Sequence, residues 1–310
     1  AVVRAFGPPE NINIESHPVQ PLGPGEIRVA VRTGGLNPVD ARRRAGTFGG
    51  SVPLVLGTEH AGIVLESNHP AYRGGDEVIG WGASGADADL VTTDASRLFP
   101  KPASLPWPLA GGLSGVGQTA LTALNALQLQ PGDTIVVHGA AGGVGTVLTQ
   151  LAVARGYRVI GTAGAGNQDY LRTLGAEPVV YGDGLAGRLA EAAGNRPVAA
   201  SIDLAGSDEA GEYAAALQRS GGQAITLVPE TMAYGIRLVQ VRHSPDQMRE
   251  LLERVEAGTL ALPVTTLPFT HIVEAHRRLD AKHSTGKLVL DLADNPYLAT
   301  ASAATKQQGA

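Results

Sequence analysis

The run Gly139-Ala140-Ala141-Gly142-Gly143-Val144-Gly145 carries the most readable chemistry in this sequence. It follows a β-branched stretch, 134–138, and opens a stretch with helical spacing, 143–155. The frame Ala140-x-Gly142-x-x-Gly145 is a dinucleotide fingerprint with alanine in the first place. A small first residue allows a tight turn, Gly142 lets backbone N–H groups approach a pyrophosphate, and Gly145 lets helix and strand pack closely. The N–H groups at the helix start favour the anion. A plain strand-to-helix turn has the same look. A second strand within the ~30 residues of a βαβ unit favours the dinucleotide.

The end of that second strand, Gly161-Thr162-Ala163-Gly164-Ala165-Gly166-Asn167-Gln168, bears on the choice of cofactor. NAD sites place Asp or Glu there, on the ribose hydroxyls. No acid precedes Asp169, so nothing repels a 2′-phosphate, and NADPH is the expected cofactor. No Arg or Lys lies in the stretch to attract one. Thr162, Gly164 and Asn167 are expected to line the cofactor with the glycine turn, as is Leu227 on a later strand.

Other chemistries have little support. With no cysteine there are no disulfides, thiolate zinc sites or Cys nucleophiles, which fits a reducing cytoplasm. The eight histidines form no H-x-x-x-H or H-x-H pair, and no metal site is expected. The run Arg42-Arg43-Arg44 is a phosphate contact or, more commonly, a solvated face. A G-x-S-x-G elbow is absent. Net charge is −5 and aromatic content 4%, so neither a basic nucleic-acid surface nor a base-stacking platform is expected. No apolar run is long enough to span a membrane.

The elements that position these residues fall into two textures. Hydrophobic residues make up 43% of 310, enough for about two domains. Residues 1–105 read as β, with strands at 26–31, 56–65 and 76–80. After the helical stretch 118–129, strands at 134–138, 158–162, 178–181, 199–203, 223–228 and 236–242 alternate with helices at 143–155, 168–174, 185–193 and 209–217. Such alternation marks a doubly wound parallel sheet. Ser244-Pro245-Asp246-Gln247 starts a further helix, with Ser as N-cap and Pro at the first helical position. A closing strand is predicted at 287–292. The division expected is a β domain from 1–105 and 243–294, a dinucleotide domain over 106–242, and a flexible tail over 295–310.

Six landmarks occur in order: Gly35-Leu36-Asn37-Pro38-Val39-Asp40, Val55-Leu56-Gly57-Thr58-Glu59-His60-Ala61-Gly62, Gly75-Asp76-Glu77-Val78, Gln118-Thr119-Ala120, the glycine turn, and Gly286-Lys287-Leu288-Val289-Leu290. In these the chain resembles the zinc-independent quinone oxidoreductase and enoyl reductase branch of the medium-chain dehydrogenase/reductase superfamily. The resemblance implies a GroES-like β domain with a Rossmann domain. Zinc-dependent relatives carry Cys where this chain has Asn37 and His where it has Thr58. By resemblance Asn37 lies beside the nicotinamide and donates to the substrate oxygen, Asp40 and Glu59 orient neighbours, Thr119 faces the carboxamide, and Tyr181 packs near the 2′-phosphate. The tyrosine many relatives carry after Ala45-Gly46 is replaced by Thr47-Phe48. The implied activity is NADPH-dependent hydride transfer to a quinone or α,β-unsaturated carbonyl, by a homodimer pairing along 236–241. Enoyl-thioester reduction in fatty-acid or polyketide synthesis is the alternative within the fold. A cofactor-binding protein with little catalysis is the alternative outside it.

Overall fold

The computed structural model describes residues 1–82, 85–281 and 285–307. It divides into two compact units, 1–115 with 263–310, and 116–262.

In the first unit a mostly antiparallel sheet runs in the order Val264–Pro268, Lys287–Asp291, Glu26–Leu36, Glu59–Ser67, Glu77–Trp81, Leu98–Pro100, with Leu90–Asp94 also paired to Glu26–Leu36. Ile27, Val29 and Val31 alternate along the long strand and are buried with Val64, Val78, Leu288 and Leu290. Register matters more here than composition. It sets Gly35 opposite Glu59 and Leu36 opposite Leu288. Asn37, Glu59 and Lys287, distant in sequence, therefore meet at one end of three adjacent strands.

In the second unit six parallel strands run in the order Glu177–Val180, Arg158–Ala163, Thr134–His138, Val198–Asp203, Gln223–Thr226, Arg237–Leu238. Thr134–His138 is buried throughout, as a central strand covered on both faces must be. The strand order reverses beside it, and ligands of open α/β sheets bind at the carboxyl ends of strands at that switch. The glycine turn leaves this strand at its carboxyl end. Among the described residues no helix is long and apolar enough to cross a membrane.

Four expectations change. The division falls at 115/116 and 262/263, not at 105/106 and 242/243. The helix Pro245–Glu256 belongs with the second unit because the Ser244 N–H donates to Gln118 Oε1 at 2.7 Å and Leu251 packs against Gly117. The helix expected from 118 begins eleven residues earlier and runs Trp107–Asn125. Its glycines are tolerated because they allow close approach: a Cβ on Gly112 would lie 2.8 Å from Lys287 and Val289, and one on Gly115 2.9 Å from the Glu59 carboxylate. Packing overrides propensity here. Finally, the segment read as a tail is packed. Asn295 is buried, donating to Val31 O at 2.8 Å and Asp89 O at 2.7 Å, and leads into the helix Tyr297–Gln307. Ala301 is fully buried; 308–310 lie outside the described residues. Small side chains make a poor amphipathic signal but pack well. The edge strand expected over 236–242 is only Arg237–Leu238.

Candidate functional site

Chemistry concentrates in one place in each unit. In the second unit the glycine turn has the form its sequence requires. Gly139 adopts φ 74°, in the left-handed region where glycine is at ease. Ala140 N–H donates to Thr162 O at 3.0 Å and ties the turn to the second strand. Gly142 is the N-cap of the helix Gly143–Ala154. A Cβ on Gly142 would meet only Gly139 O, at 3.5 Å, leaving the approach to the helix N-terminus open. A Cβ on Gly145 would lie 2.6 Å from Ala140 Cα. Gly145 therefore serves packing, while Gly142 leaves room for a ligand. Such an N-terminus fits a dinucleotide pyrophosphate.

The remaining predicted cofactor residues of this unit surround the same sheet end. Ala140, Ala141 and Thr162 are buried, and Gly143, Val144 and Leu227 half-buried. Leu227 follows the fifth strand and donates its N–H to Asp203 O at 3.0 Å. Gly164 and Asn167 bound a short turn closed by Asn167 N–H on Gly164 O at 3.0 Å. Tyr181 is 48% exposed, and its hydroxyl sits 3.2 Å from where a Cβ on Gly164 would be. Thr119, half-buried on the helix Trp107–Asn125, also lies in this unit.

In the first unit Asn37, Asp40, Thr58, Glu59 and Lys287 form one polar cluster. Lys287 Nζ donates to Asn37 Oδ1 at 2.6 Å and is ion-paired with Glu59; both charged side chains are 2% exposed. Asn37 Nδ2 donates to Glu59 Oε1 at 2.8 Å, with Thr58 Oγ1 farther, at 3.5 Å. Glu59 Oε2 accepts from Gly115 N–H at 2.6 Å and Ser114 Oγ at 3.0 Å. Burial alone would raise the Glu59 carboxyl, but the Lys287 charge and these bonds hold it below its usual range. Asp40 accepts the Asn37 backbone N–H at 2.9 Å at the start of the helix Pro38–Ala45, and burial pushes it up to about 6 against that bond. Asn37, half-buried, thus has one amide N–H committed to Glu59 and a second only weakly engaged.

Lys287, Ser114 and Gly115 were missed as site residues. Lys287 was legible only as part of a strand landmark, because an ammonium inside a sheet is visible only once its carboxylate partner is placed. Ser114 and Gly115 lie in the glycine-rich run 111–115, whose residue types carry no sign of a buried carboxylate partner.

Residues 23–103 match the family model of the alcohol dehydrogenase GroES-like domain, and 174–290 that of a zinc-binding dehydrogenase. The chain superposes on the quinone oxidoreductase from Coxiella burnetii with a TM-score of 0.83 at 27% identity, covering 94% of this chain and 98% of that one. The chain belongs to the medium-chain dehydrogenase/reductase superfamily, in its quinone and enoyl reductase branch. The β unit is accordingly its GroES-like domain and the parallel-sheet unit its Rossmann domain. The chain is 27% identical over 305 residues to the chloroplastic NADPH-dependent alkenal/one oxidoreductase of Arabidopsis thaliana, covering 92% of this chain and 77% of that protein. It is 33% identical over 299 residues to the pikromycin polyketide synthase component PikAII of Streptomyces venezuelae, covering 88% of this chain but only 8% of that protein.

Proposed function

We propose that this medium-chain reductase transfers hydride from NADPH to a quinone or an α,β-unsaturated carbonyl without a metal. The observation that carries the reading is the Lys287 ammonium lodged between Asn37 and Glu59. A dication drawn to this carboxylate would meet a fixed positive charge. Asn37 and Thr58 offer it only a neutral amide and a hydroxyl, so the residues present do not fit zinc. An acceptor that is already electrophilic needs no such polarisation.

Bound reduced nicotinamide supplies the hydride. The open N-terminus behind Gly142 takes the pyrophosphate, and Tyr181 over Gly164 stands at the ribose end. The second N–H of Asn37 donates to the acceptor oxygen as negative charge develops on it, the point at which a donor lowers the barrier. Lys287 and Glu59 hold that amide in orientation. Glu59 fixes Nδ2 and Lys287 fixes Oδ1, so the donor needs no reordering during the reaction. A second copy docking along 236–241, of which Arg237–Leu238 is strand and Val241 is exposed, is the proposed dimer.

Asn37→Ala is expected to lower kcat about tenfold per folded molecule with NADPH affinity unchanged, because quinones and enones are already electrophilic and solvent can take the place of the lost donor. The melting temperature also falls, since two bonds to the buried ion pair go with the amide. A lower melting temperature with unaltered kcat per folded molecule would make Asn37 a structural residue only.

The cofactor half of the proposal is tested by fluorescence titration. NADPH is expected to bind more tightly than NADH, from the acid-free segment 162–168, the exposed Tyr181 and the likeness to an NADPH-dependent alkenal/one oxidoreductase. Equal or reversed affinity overturns it. A second reading, an enoyl-thioester reductase, is favoured by the 33% identity to a polyketide synthase component.

A further inference from the structure

The segment 162–168 repels no 2′-phosphate, but it supplies no positive charge to hold one. A cation is present one strand away. Arg188 lies on the helix Leu185–Ala193, just after the strand that ends beside Tyr181. Its Nε donates to Val180 O at 2.9 Å, Nη1 to Asp183 O at 2.7 Å and Nη2 to Gly182 O at 2.8 Å. These carbonyls flank Tyr181 on both sides, so the guanidinium is fixed to the loop that presents the ring. A guanidinium has five N–H donors. The three bonds leave one N–H on each Nη. No carboxylate among the described residues lies within ion-pair distance of Arg188, and Asp169, which follows the acid-free segment, is paired with Arg172. A half-buried, immobilised guanidinium with no counter-charge and two spare N–H groups is suited to a phosphate dianion, which accepts such a fork with two oxygens.

We infer that Arg188 is the specificity residue that binds the 2′-phosphate of NADPH, with the Tyr181 ring stacked beside it above Gly164. The inference rests on the NADPH reading above and names the residue that would enforce it. The three backbone carbonyls hold the guanidinium before the cofactor arrives, so little side-chain order remains to be imposed on binding.

Calorimetric titration of the intact chain with NADPH, NADH, 2′,5′-ADP and 5′-AMP tests it without recourse to turnover. In Arg188→Met, NADPH and 2′,5′-ADP are expected to weaken about 10–100-fold, the loss of charge-assisted bonds, with NADH and 5′-AMP within about twofold of wild type. Arg188→Lys keeps the charge without the fork and guards against a misfolded loop; it should fall between the two. If both variants keep the wild-type ratio of NADPH to NADH affinity, or weaken the two cofactors equally, Arg188 only holds the loop and the inference is overturned. A wild-type chain that binds NADPH and NADH alike overturns the cofactor reading, and this inference with it.

Discussion

Lys287→Met is expected to cost the fold about 3–5 kcal/mol, the range seen when one partner of a buried ion pair is removed. For a unit of this size that is a fall of roughly 10 °C in melting temperature. The cause is the stranded Glu59, 2% exposed, whose charge would retain only the neutral donors Asn37, Ser114 and Gly115. The pH dependence follows in sign. Without Lys287, burial raises the Glu59 carboxyl above its unfolded value of about 4.3. The folded state then holds the extra proton, so the deficit is smallest below that value and grows as pH rises through the new folded pKa. Adding Glu59→Gln should restore most of the loss, since the amide keeps an acceptor for Ser114 and Gly115 without the charge. Thermal unfolding of the three proteins at pH 5 and pH 8 decides it. A single variant within about 1 kcal/mol of wild type at pH 8 would mean the pair is not closed off from water.

Gly142→Asp should separate folding from binding. The added Cβ meets only Gly139 O at 3.5 Å, an ordinary contact. Asp is moreover a favoured N-cap, so the unliganded protein should melt within a degree or two of wild type, or slightly higher. Nicotinamide dinucleotide affinity should nonetheless fall at least about 100-fold, or ~2.7 kcal/mol, because the carboxylate occupies and repels the pyrophosphate position. Gly145 behaves differently: any Cβ there lies 2.6 Å from Ala140 Cα, so a substitution strains the fold before it touches a ligand. Retained NADPH affinity in Gly142→Asp would place the pyrophosphate elsewhere.

The Rossmann unit was legible almost element by element. Its strands are short β-branched runs between glycine and proline turns, and its last helix carries a clear cap, Ser244 Oγ accepting Gln247 N–H at 3.2 Å. Local patterns suffice where neighbours in sequence are neighbours in space. The polar cluster was only half legible. Asn37 and Asp40 sit in one landmark, but Lys287 reaches Asn37 through strand pairing across 250 residues, which no local pattern encodes. The helix Trp107–Asn125 and the packed segment after Asn295 were obscured for the opposite reason. Glycine and alanine signal poor helix or loose chain, yet they are what permits close approach to Glu59 and to the sheet. The edge strand was over-read because a run of apolar residues indicates burial without showing how many of them pair.

Hydride transfer without a metal can be tested directly in one assay. The protein is dialysed exhaustively against a chelator, checked for zinc by elemental analysis, and followed for NADPH oxidation with quinones, enones and enoyl thioesters in parallel. The expected result is well under one zinc per chain, with full turnover of at least one quinone or enone and no response to added zinc. No oxidation with any acceptor, or activity that disappears on chelation and returns with one equivalent of zinc, would contradict it.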